Sequence, residues 1–227
     1  MPILLTYDSP VLGIWKITEP WQDMMESLRY NSLYCRDANN IQSDKRKQEW
    51  LAVRLLLKHL SGMETFIDYY DNGVPFLQNS QYRISITHTT GYAAVLLSKN
   101  QNPGIDIEYR SERAWKLRKK YLSDNESDIF LSLNHSVVSK QKVNEYSSNT
   151  EPVPCHADLA TLCWCAKETA FKALQQTEVD FIEHLHILPF TLSDEGFLAL
   201  KETKTPQQQT FIINFKIADN YILTWKA

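Results

Sequence analysis

The stretch Gly104-Ile105-Asp106-Ile107-Glu108 alternates aliphatic and acidic residues near the middle of the chain. Side chains two residues apart in a β-strand share a face. We therefore predict a strand that turns Ile105 and Ile107 into the core and projects Asp106 and Glu108 together. Paired carboxylates repel each other unless they are exposed or bridged by a cation or a base, and Mg²⁺ accepts such oxygens. The stretch indicates either a magnesium site or a solvated strand edge.

A second motif, Trp164-Cys165-Ala166-Lys167-Glu168-Thr169-Ala170-Phe171-Lys172, lies in a helix predicted over 159–174. Residues four apart are neighbours on one helix face, so Glu168 lies near both Trp164 and Lys172. Taken alone, the pattern is typical of a surface ion pair beside aromatic residues of the core.

A third motif lies in a β-hairpin predicted from two apolar runs, 84–88 and 92–98, which flank the turn-forming Thr89-Thr90-Gly91. His88 ends the first strand and follows the hydroxyl of Thr87. Its ring and the neighbouring backbone N–H groups could bind a phosphate. A histidine in a turn also commonly forms a hydrogen bond with its own loop. Both interpretations stay open on the sequence of the hairpin alone.

The order helix-then-hairpin occurs twice along the chain. The first set comprises a strand over 11–17, a helix from Pro20 to 28, a densely apolar helix over 48–60 and the hairpin, and the second set comprises the helix over 159–174 and a hairpin over 210–225. We predict an α+β fold with two similar halves, 1–102 and 103–227, joined by turn formers near 100–104. A polar stretch over about 132–154 is expected to be an exposed, flexible loop.

Composition excludes several classes of protein. The formal net charge of -3 argues against a general nucleic-acid binder. No apolar run reaches the roughly 20 residues of a membrane span, and the start of the chain lacks the features of a signal peptide. Four cysteines, at 35, 155, 163 and 165, form no secreted-type framework. We expect a cytoplasmic protein with reduced thiols.

In their order along the chain, the three motifs resemble the Sfp-type 4′-phosphopantetheinyl transferase family. That family has a Ser-His-Ser-like hairpin, then Gly-(Ile/Val)-Asp-(Ile/Val)-Glu, then Trp-x-x-Lys-Glu-(Ala/Ser)-x-x-Lys. Residues 45–54 are similar to its basic helix start, 73–77 to its Gly-Lys-Pro loop and 121–126 to its aromatic-to-glutamate stretch. Val74 stands where the family often has lysine, whereas Thr87 and Thr89 replace serines and keep the hydroxyls.

The resemblance implies two α/β halves related by pseudo-twofold symmetry in one monomeric chain. It also implies transfer of phosphopantetheine from coenzyme A to a serine of an acyl or peptidyl carrier protein, with release of 3′,5′-ADP. Magnesium would be held by Asp106, Glu108 and Glu168. Asp106, Glu168 as general base and Lys172 as partner of the leaving phosphate would be catalytic. The residues expected to bind the phosphates of coenzyme A are Arg46, Lys47, Arg54, Thr87, His88, Lys167 and Lys172.

A basic run over 113–120 would suit an acidic carrier protein through electrostatic steering, with Trp115 and Leu117 as apolar anchors. The same run also fits a plain solvated helix face. Both interpretations stay open.

Other interpretations of the whole chain are compatible with parts of the sequence. One is a catalytically inactive protein of the same fold that binds coenzyme A or a nucleotide; another is an adaptor in which the motifs are coincidental. A third is a zinc protein built on Cys155-His156 with Cys163 and Cys165. Residues two apart on a helix are separated by about 200°, so the last two thiols are poorly placed to grip one ion.

Overall fold

A computed structural model of the chain describes residues 3–127 and 156–227. The chain divides into two compact units. The first comprises Met1–Ile107, Lys172–Gln175 and Ala227, and the second comprises Glu108–Phe171 and Gln176–Lys226. The boundary therefore falls once inside a strand and once inside a long helix.

In its described residues, the first unit combines three helices and the end of a fourth with antiparallel strands. Its elements are β1 (Ile3–Asp8), β2 (Val11–Lys16), α1 (Trp21–Glu26), α2 (Asn31–Asn39), α3 (Asp44–Ser61), β3 (Ile67–Tyr69), β4 (Pro75–Leu77), β5 (Arg83–Thr89), β6 (Tyr92–Ser98) and most of β7 (Gly104–Tyr109). One sheet has the order β1-β2-β6-β5, and β3 pairs with β4 in a small sheet.

The densely apolar helix predicted from the sequence is α3. Ser43 caps its start, with Oγ accepting from the backbone N–H of Arg46 at 3.4 Å, and Gly62 ends it in the left-handed region at φ 74°. Leu56 is fully buried. A Cβ at Gly13 of β2 would stand 2.8 Å from Leu56 Cδ1, so α3 packs closely on the sheet. The prediction is confirmed, with a start one turn earlier than expected.

Strand β5 positions β7 through hydroxyl groups. Ser85 Oγ accepts from the backbone N–H of Ile105 at 3.1 Å, and Thr87 Oγ1 accepts from that of Ile107 at 3.5 Å. The hairpin of β5 and β6 closes at Gly91, with φ 80°. The predicted first hairpin is confirmed, and its alternating polar side chains support β7.

The described residues of the second unit combine a long helix with a sheet. Its elements are the end of β7, α4 (Arg113–Leu117), a 3₁₀ turn (Arg118–Lys120), a helical turn at 124–127, most of α5 (His156–Leu174), β8 (Leu185–Ile187), β9 (Glu195–Glu202), β10 (Thr210–Ile217) and β11 (Tyr221–Lys226). The sheet has the order β7-β11-β10-β9-β8, with β7 entering the unit at Glu108. The Thr169 and Thr224 hydroxyls lie 2.6 Å apart and link α5 to β11.

The α+β class is confirmed, since each unit combines helices with antiparallel sheet. The second predicted hairpin is present as β10 and β11. The halves 1–102 and 103–227 and their symmetry stay predictions, and the predicted loop over 132–154 lies outside the described residues. Within the part of the chain that is described, no helix is long and apolar enough to cross a membrane.

Candidate functional site

Asp106 is the centre of a buried polar cluster in the first unit. Its Oδ1 accepts a hydrogen bond from Thr87 Oγ1 at 3.0 Å and another from Lys172 Nζ at 2.8 Å. Lys172 Nζ also donates to the carbonyl oxygen of Ile105 at 2.9 Å. The structure thus brings together three residues predicted for the site, Thr87, Asp106 and Lys172.

The second carboxylate oxygen of Asp106 has a different environment. Oδ2 is buried and has no hydrogen-bond partner among the described residues. A buried carboxylate oxygen without a partner is costly, by roughly 1–3 kcal/mol or more. Because Mg²⁺ binds carboxylate oxygens, the chemistry of Asp106 fits the predicted role as a metal ligand.

The other predicted metal ligands belong to the second unit. Glu108 lies at the end of β7 and Glu168 lies on α5, and both are half-buried. Within residues 3–127 and 156–227, no three or more His, Cys, Asp or Glu side chains are grouped closely enough to hold a metal ion. Magnesium binding by Asp106, Glu108 and Glu168 stays a prediction.

Two of the three cysteines of the zinc interpretation lie within the described residues. Cys163 and Cys165 are buried on α5 and form no disulfide among the described residues, and Cys155 lies outside those residues. Burial raises the pKa of the Cys163 thiol to about 12. A thiol that resists deprotonation is a poor metal ligand, because the thiolate is the form that binds.

A cavity of about 260 Å³ in the first unit collects three of the predicted phosphate ligands. Its lining residues are Ile41, Arg46, Trp50, Val53, Arg54, Tyr69, Ile86 and His88. We call it the cation-lined cavity. Arg46, Trp50 and Arg54 follow one another at four-residue spacing on α3 and therefore lie on one helix face. A lining that combines arginine with aromatic side chains suits an anionic ligand with a planar group.

Arg54 makes two contacts with Trp50 in this cavity. Its Cζ lies 3.3 Å from the centroid of the Trp50 ring, and its Nη1 donates to the Trp50 carbonyl oxygen at 3.0 Å. Burial lowers the pKa of Arg54 to about 10, so the guanidinium stays charged at neutral pH. A fixed, partly desolvated cation binds phosphate more strongly than a mobile surface cation.

His88 enters the same cavity from the end of β5. Its Nδ1 lies 3.2 Å from Oε2 of Glu49, a buried residue of α3 that the sequence analysis did not single out. Lys45 Nζ lies 3.9 Å from the other oxygen of Glu49. The sequence did contain one signal for Glu49, namely a carboxylate inside a densely apolar helix, four residues after a lysine.

Two predicted phosphate ligands lie elsewhere. Lys47 is outside the residues that line the cation-lined cavity; its Nζ lies 4.7 Å from the ring centroid of Trp21 and 3.7 Å from Asp44. Lys167 has no exposed surface in the second unit.

The ammonium of Lys167 is engaged by buried partners. It donates to the carbonyl oxygens of Tyr121 at 2.6 Å and Phe181 at 2.8 Å, and to the Glu126 carboxylate at 2.8 Å. Burial lowers the pKa of Lys167, while Glu126 acts in the opposite direction. Three partners match its three N–H donors. These contacts give Lys167 a structural role, and its contact with a phosphate stays a prediction.

Glu126 connects this lysine to the rest of the second unit. Its Oε2 accepts from the backbone N–H of Ser123 at 2.8 Å, and its Oε1 accepts from that of Ile187 at 2.8 Å. Ser123 Oγ in turn accepts from the Glu126 N–H at 3.4 Å, which completes a capping box.

A cleft of about 120 Å³ lies beside the basic run in the second unit. Its lining residues are Glu108, Tyr109, Ser111, Arg113, Ala114, Leu117, Tyr121, Thr161 and Trp164. Arg118 of the same run stacks on Trp115, with Cζ 3.7 Å from the ring centroid. The cleft thus has an apolar lining, with Arg113 and Glu108 as its charged members.

Comparison with protein families identifies the chain. The profile of the 4′-phosphopantetheinyl transferase superfamily matches residues 102–225, which is more than half of the 227 residues. The chain belongs to this superfamily. Membership gives it a transferase activity of the phosphopantetheine type, in agreement with the resemblance of its motifs.

The superfamily match covers β7 and α5, which carry the acidic residues and Lys172, and it begins after Thr87 and His88. No curated protein matches the chain. The Sfp-type branch of the superfamily therefore stays a prediction.

Proposed function

We propose that the protein transfers the phosphopantetheine arm of coenzyme A to a serine of an acyl or peptidyl carrier protein and releases 3′,5′-ADP. The observation that carries this proposal is the buried carboxylate of Asp106. One of its oxygens accepts from Thr87 and Lys172, and the other has no partner among the residues that the structure describes. A divalent cation would satisfy that oxygen.

Binding of coenzyme A depends on charge, because the pyrophosphate and the 3′-phosphate are anionic. Arg46, Arg54 and His88 of the cation-lined cavity are the candidate ligands of this nucleotide portion. Tyr69 in the same lining offers an aromatic surface for the adenine. Because the cations are partly buried, their attraction for phosphate is less screened than that of surface charges.

Asp106, together with Glu108 and Glu168, would hold Mg²⁺. The ion would neutralise charge on the pyrophosphate as the transfer proceeds. Such reactions depend mainly on positioning and electrostatic stabilisation.

Two residues of α5 have roles in the transfer itself: one accepts a proton and the other stabilises the leaving group. In the transfer, the serine oxygen forms a bond to the phosphorus attached to the pantetheine arm, while the bond from that phosphorus to the bridging oxygen breaks. Glu168 accepts the serine proton, directly or through a water. Lys172 stabilises the negative charge on the departing 3′,5′-ADP.

The carrier protein is the candidate partner of the basic run over 113–120. Carrier proteins are commonly acidic around the modified serine, so complementary charge would accelerate the encounter. The cleft lined by Leu117 and Trp164 offers an adjoining apolar surface.

The test is incubation with fluorescent coenzyme A, Mg²⁺ and a panel of apo carrier proteins. We expect transfer of the label to at least one carrier and its loss in Glu168→Gln, with coenzyme A binding retained. Unchanged labelling by that variant contradicts the assigned base. A wild-type protein that binds coenzyme A but labels no carrier favours the alternative, an inactive coenzyme A-binding protein of the same fold.

A further inference from the structure

We propose that Glu49 is a positioning residue for His88: its carboxylate accepts the Nδ1–H of the ring and leaves Nε2–H to donate to an anion in the cation-lined cavity. The inference rests on the proposed function in one respect, namely that the anion is a phosphate of coenzyme A.

Glu49 places a carboxylate in a buried environment, which is energetically unfavourable. Its side chain is 7% exposed on α3, a helix whose neighbouring Leu51 and Ala52 are fully buried. Burying a charge without compensation is strongly unfavourable. The contacts that compensate it are His88 Nδ1 at 3.2 Å and Lys45 Nζ at 3.9 Å. The histidine is therefore its nearer ionic partner.

The geometry determines which ring nitrogen of His88 faces a ligand. Nδ1 lies 3.2 Å from Oε2 of Glu49, and His88 lines the cavity together with Arg46 and Arg54. A carboxylate only accepts hydrogen bonds, so a hydrogen bond across this contact requires the proton on Nδ1. In the protonated ring, Nε2 also carries a proton and can donate to a phosphate oxygen. The carboxylate thus sets both the ring orientation and the available donor.

The charges around His88 make Glu49 the group that favours the protonated ring. Burial lowers the pKa of His88; Glu49 raises it, and Arg46, Lys172 and Lys45 lower it. A bound phosphate would act in the same direction as Glu49. Removal of the carboxylate therefore lowers the pKa of His88 further, and tight anion binding is lost at a lower pH than in the wild type.

The main experiment compares coenzyme A binding by the wild type and Glu49→Gln between pH 5.5 and 8, using calorimetry. We expect affinity about tenfold weaker in the variant at pH 7.5 and a smaller difference at pH 5.5, where a larger fraction of the His88 rings is protonated in each protein. Glu195→Gln is the matched control, because it removes an exposed carboxylate that pairs with Lys216 at 2.8 Å outside the cavity.

A double-mutant cycle separates positioning from a general loss of charge. If Glu49 acts through His88, Glu49→Gln has no further effect on affinity in a His88→Gln background. An equal effect in both backgrounds contradicts the proposal, as does an unchanged affinity and pH profile in the single variant.

A nitrogen-15 NMR measurement of the wild-type ring needs no ligand and no folded variant. We expect neutral His88 to carry its proton on Nδ1; protonation on Nε2 alone overturns the inference. Coenzyme A binding that depends on Glu49, without transfer to any carrier, contradicts the proposed function and leaves the role of Glu49 supported. If the wild type labels a carrier and Glu49→Gln binds coenzyme A with wild-type affinity, the proposed function is supported and the role of Glu49 is contradicted.

Discussion

Lys172 Nζ lies 2.8 Å from Asp106 Oδ1, and the two side chains are 26% and 7% exposed, respectively. The ammonium also donates a second hydrogen bond, to the Ile105 carbonyl oxygen. Because this pair uses only one carboxylate oxygen of Asp106, the other can bind a cation while the ion pair persists. One aspartate can thus serve both a lysine and a metal.

Replacing Asp106 by asparagine tests this arrangement. Asparagine keeps an oxygen that can accept from Thr87 and Lys172 but removes the negative charge that a metal requires. We expect the rate of carrier labelling to fall by roughly 10²- to 10³-fold, with coenzyme A affinity changed much less. Initial rates at several Mg²⁺ concentrations provide the measurement. A wild-type rate in the variant rules out the role, and Asp219→Asn, in an exposed turn, serves as control.

Replacing Arg54 by lysine tests the cation-lined cavity. Lysine keeps the positive charge but loses the planar group that stacks on Trp50 at 3.3 Å. We expect KM for coenzyme A to rise about tenfold with a small change in kcat, since the contact is made in ground and transition states alike. Arg83→Lys is the matched control; it alters a β5 arginine that bonds Asn102 and lies outside this cavity. Equal KM values for Arg54→Lys and wild type count against the cavity.

The elements predicted well from sequence are those set by local patterns. Helix α3 follows from its apolar density and the glycine at 62, and both hairpins follow from apolar runs around turn residues. The alternation at 104–108 also predicted the buried faces of Ile105 and Ile107, which have no exposed surface. These features depend on residues close together in the chain.

The roles that the sequence did not predict depend on partners that are far away in the chain. Lys167 stands beside Glu168 in the motif, but adjacent helical residues point in directions about 100° apart. Its partners come from Tyr121, Glu126 and Phe181, in segments that no local pattern connects to α5. Glu49 likewise meets a histidine 39 positions later. Tertiary packing decides both cases.

Replacing Glu64 by glutamine tests a buried carboxylate of the first unit. Burial would raise the pKa of Glu64, but hydrogen bonds from Lys58 Nζ and from the N–H groups of Arg29 and Tyr30 lower it below its ordinary value of 4.5. A carboxyl group with a lowered pKa in the folded state stabilises the fold above pH 4.5, and this contribution disappears as pH falls through the folded-state pKa.

For Glu64→Gln we therefore expect a free energy of unfolding lower by about 1–3 kcal/mol at pH 7, with a smaller difference at acid pH. Urea unfolding of wild type and variant at both pH values measures the effect. The exposed substitution Glu26→Gln is the control. A difference independent of pH indicates that packing, and not ionisation, is responsible.

Replacing Lys167 by methionine distinguishes the structural role from the phosphate contact implied by the family pattern. The variant leaves the Glu126 carboxylate, in a residue 5% exposed, without its ammonium partner. We expect a loss of about 3–5 kcal/mol of unfolding free energy, partly restored by adding Glu126→Gln. Lys216→Met, which breaks an exposed pair, should cost far less. In the double variant at 15 °C, a temperature chosen to keep it folded, KM for coenzyme A should equal that of wild type. A tenfold higher KM for coenzyme A in the double variant would instead support a contact between Lys167 and the substrate.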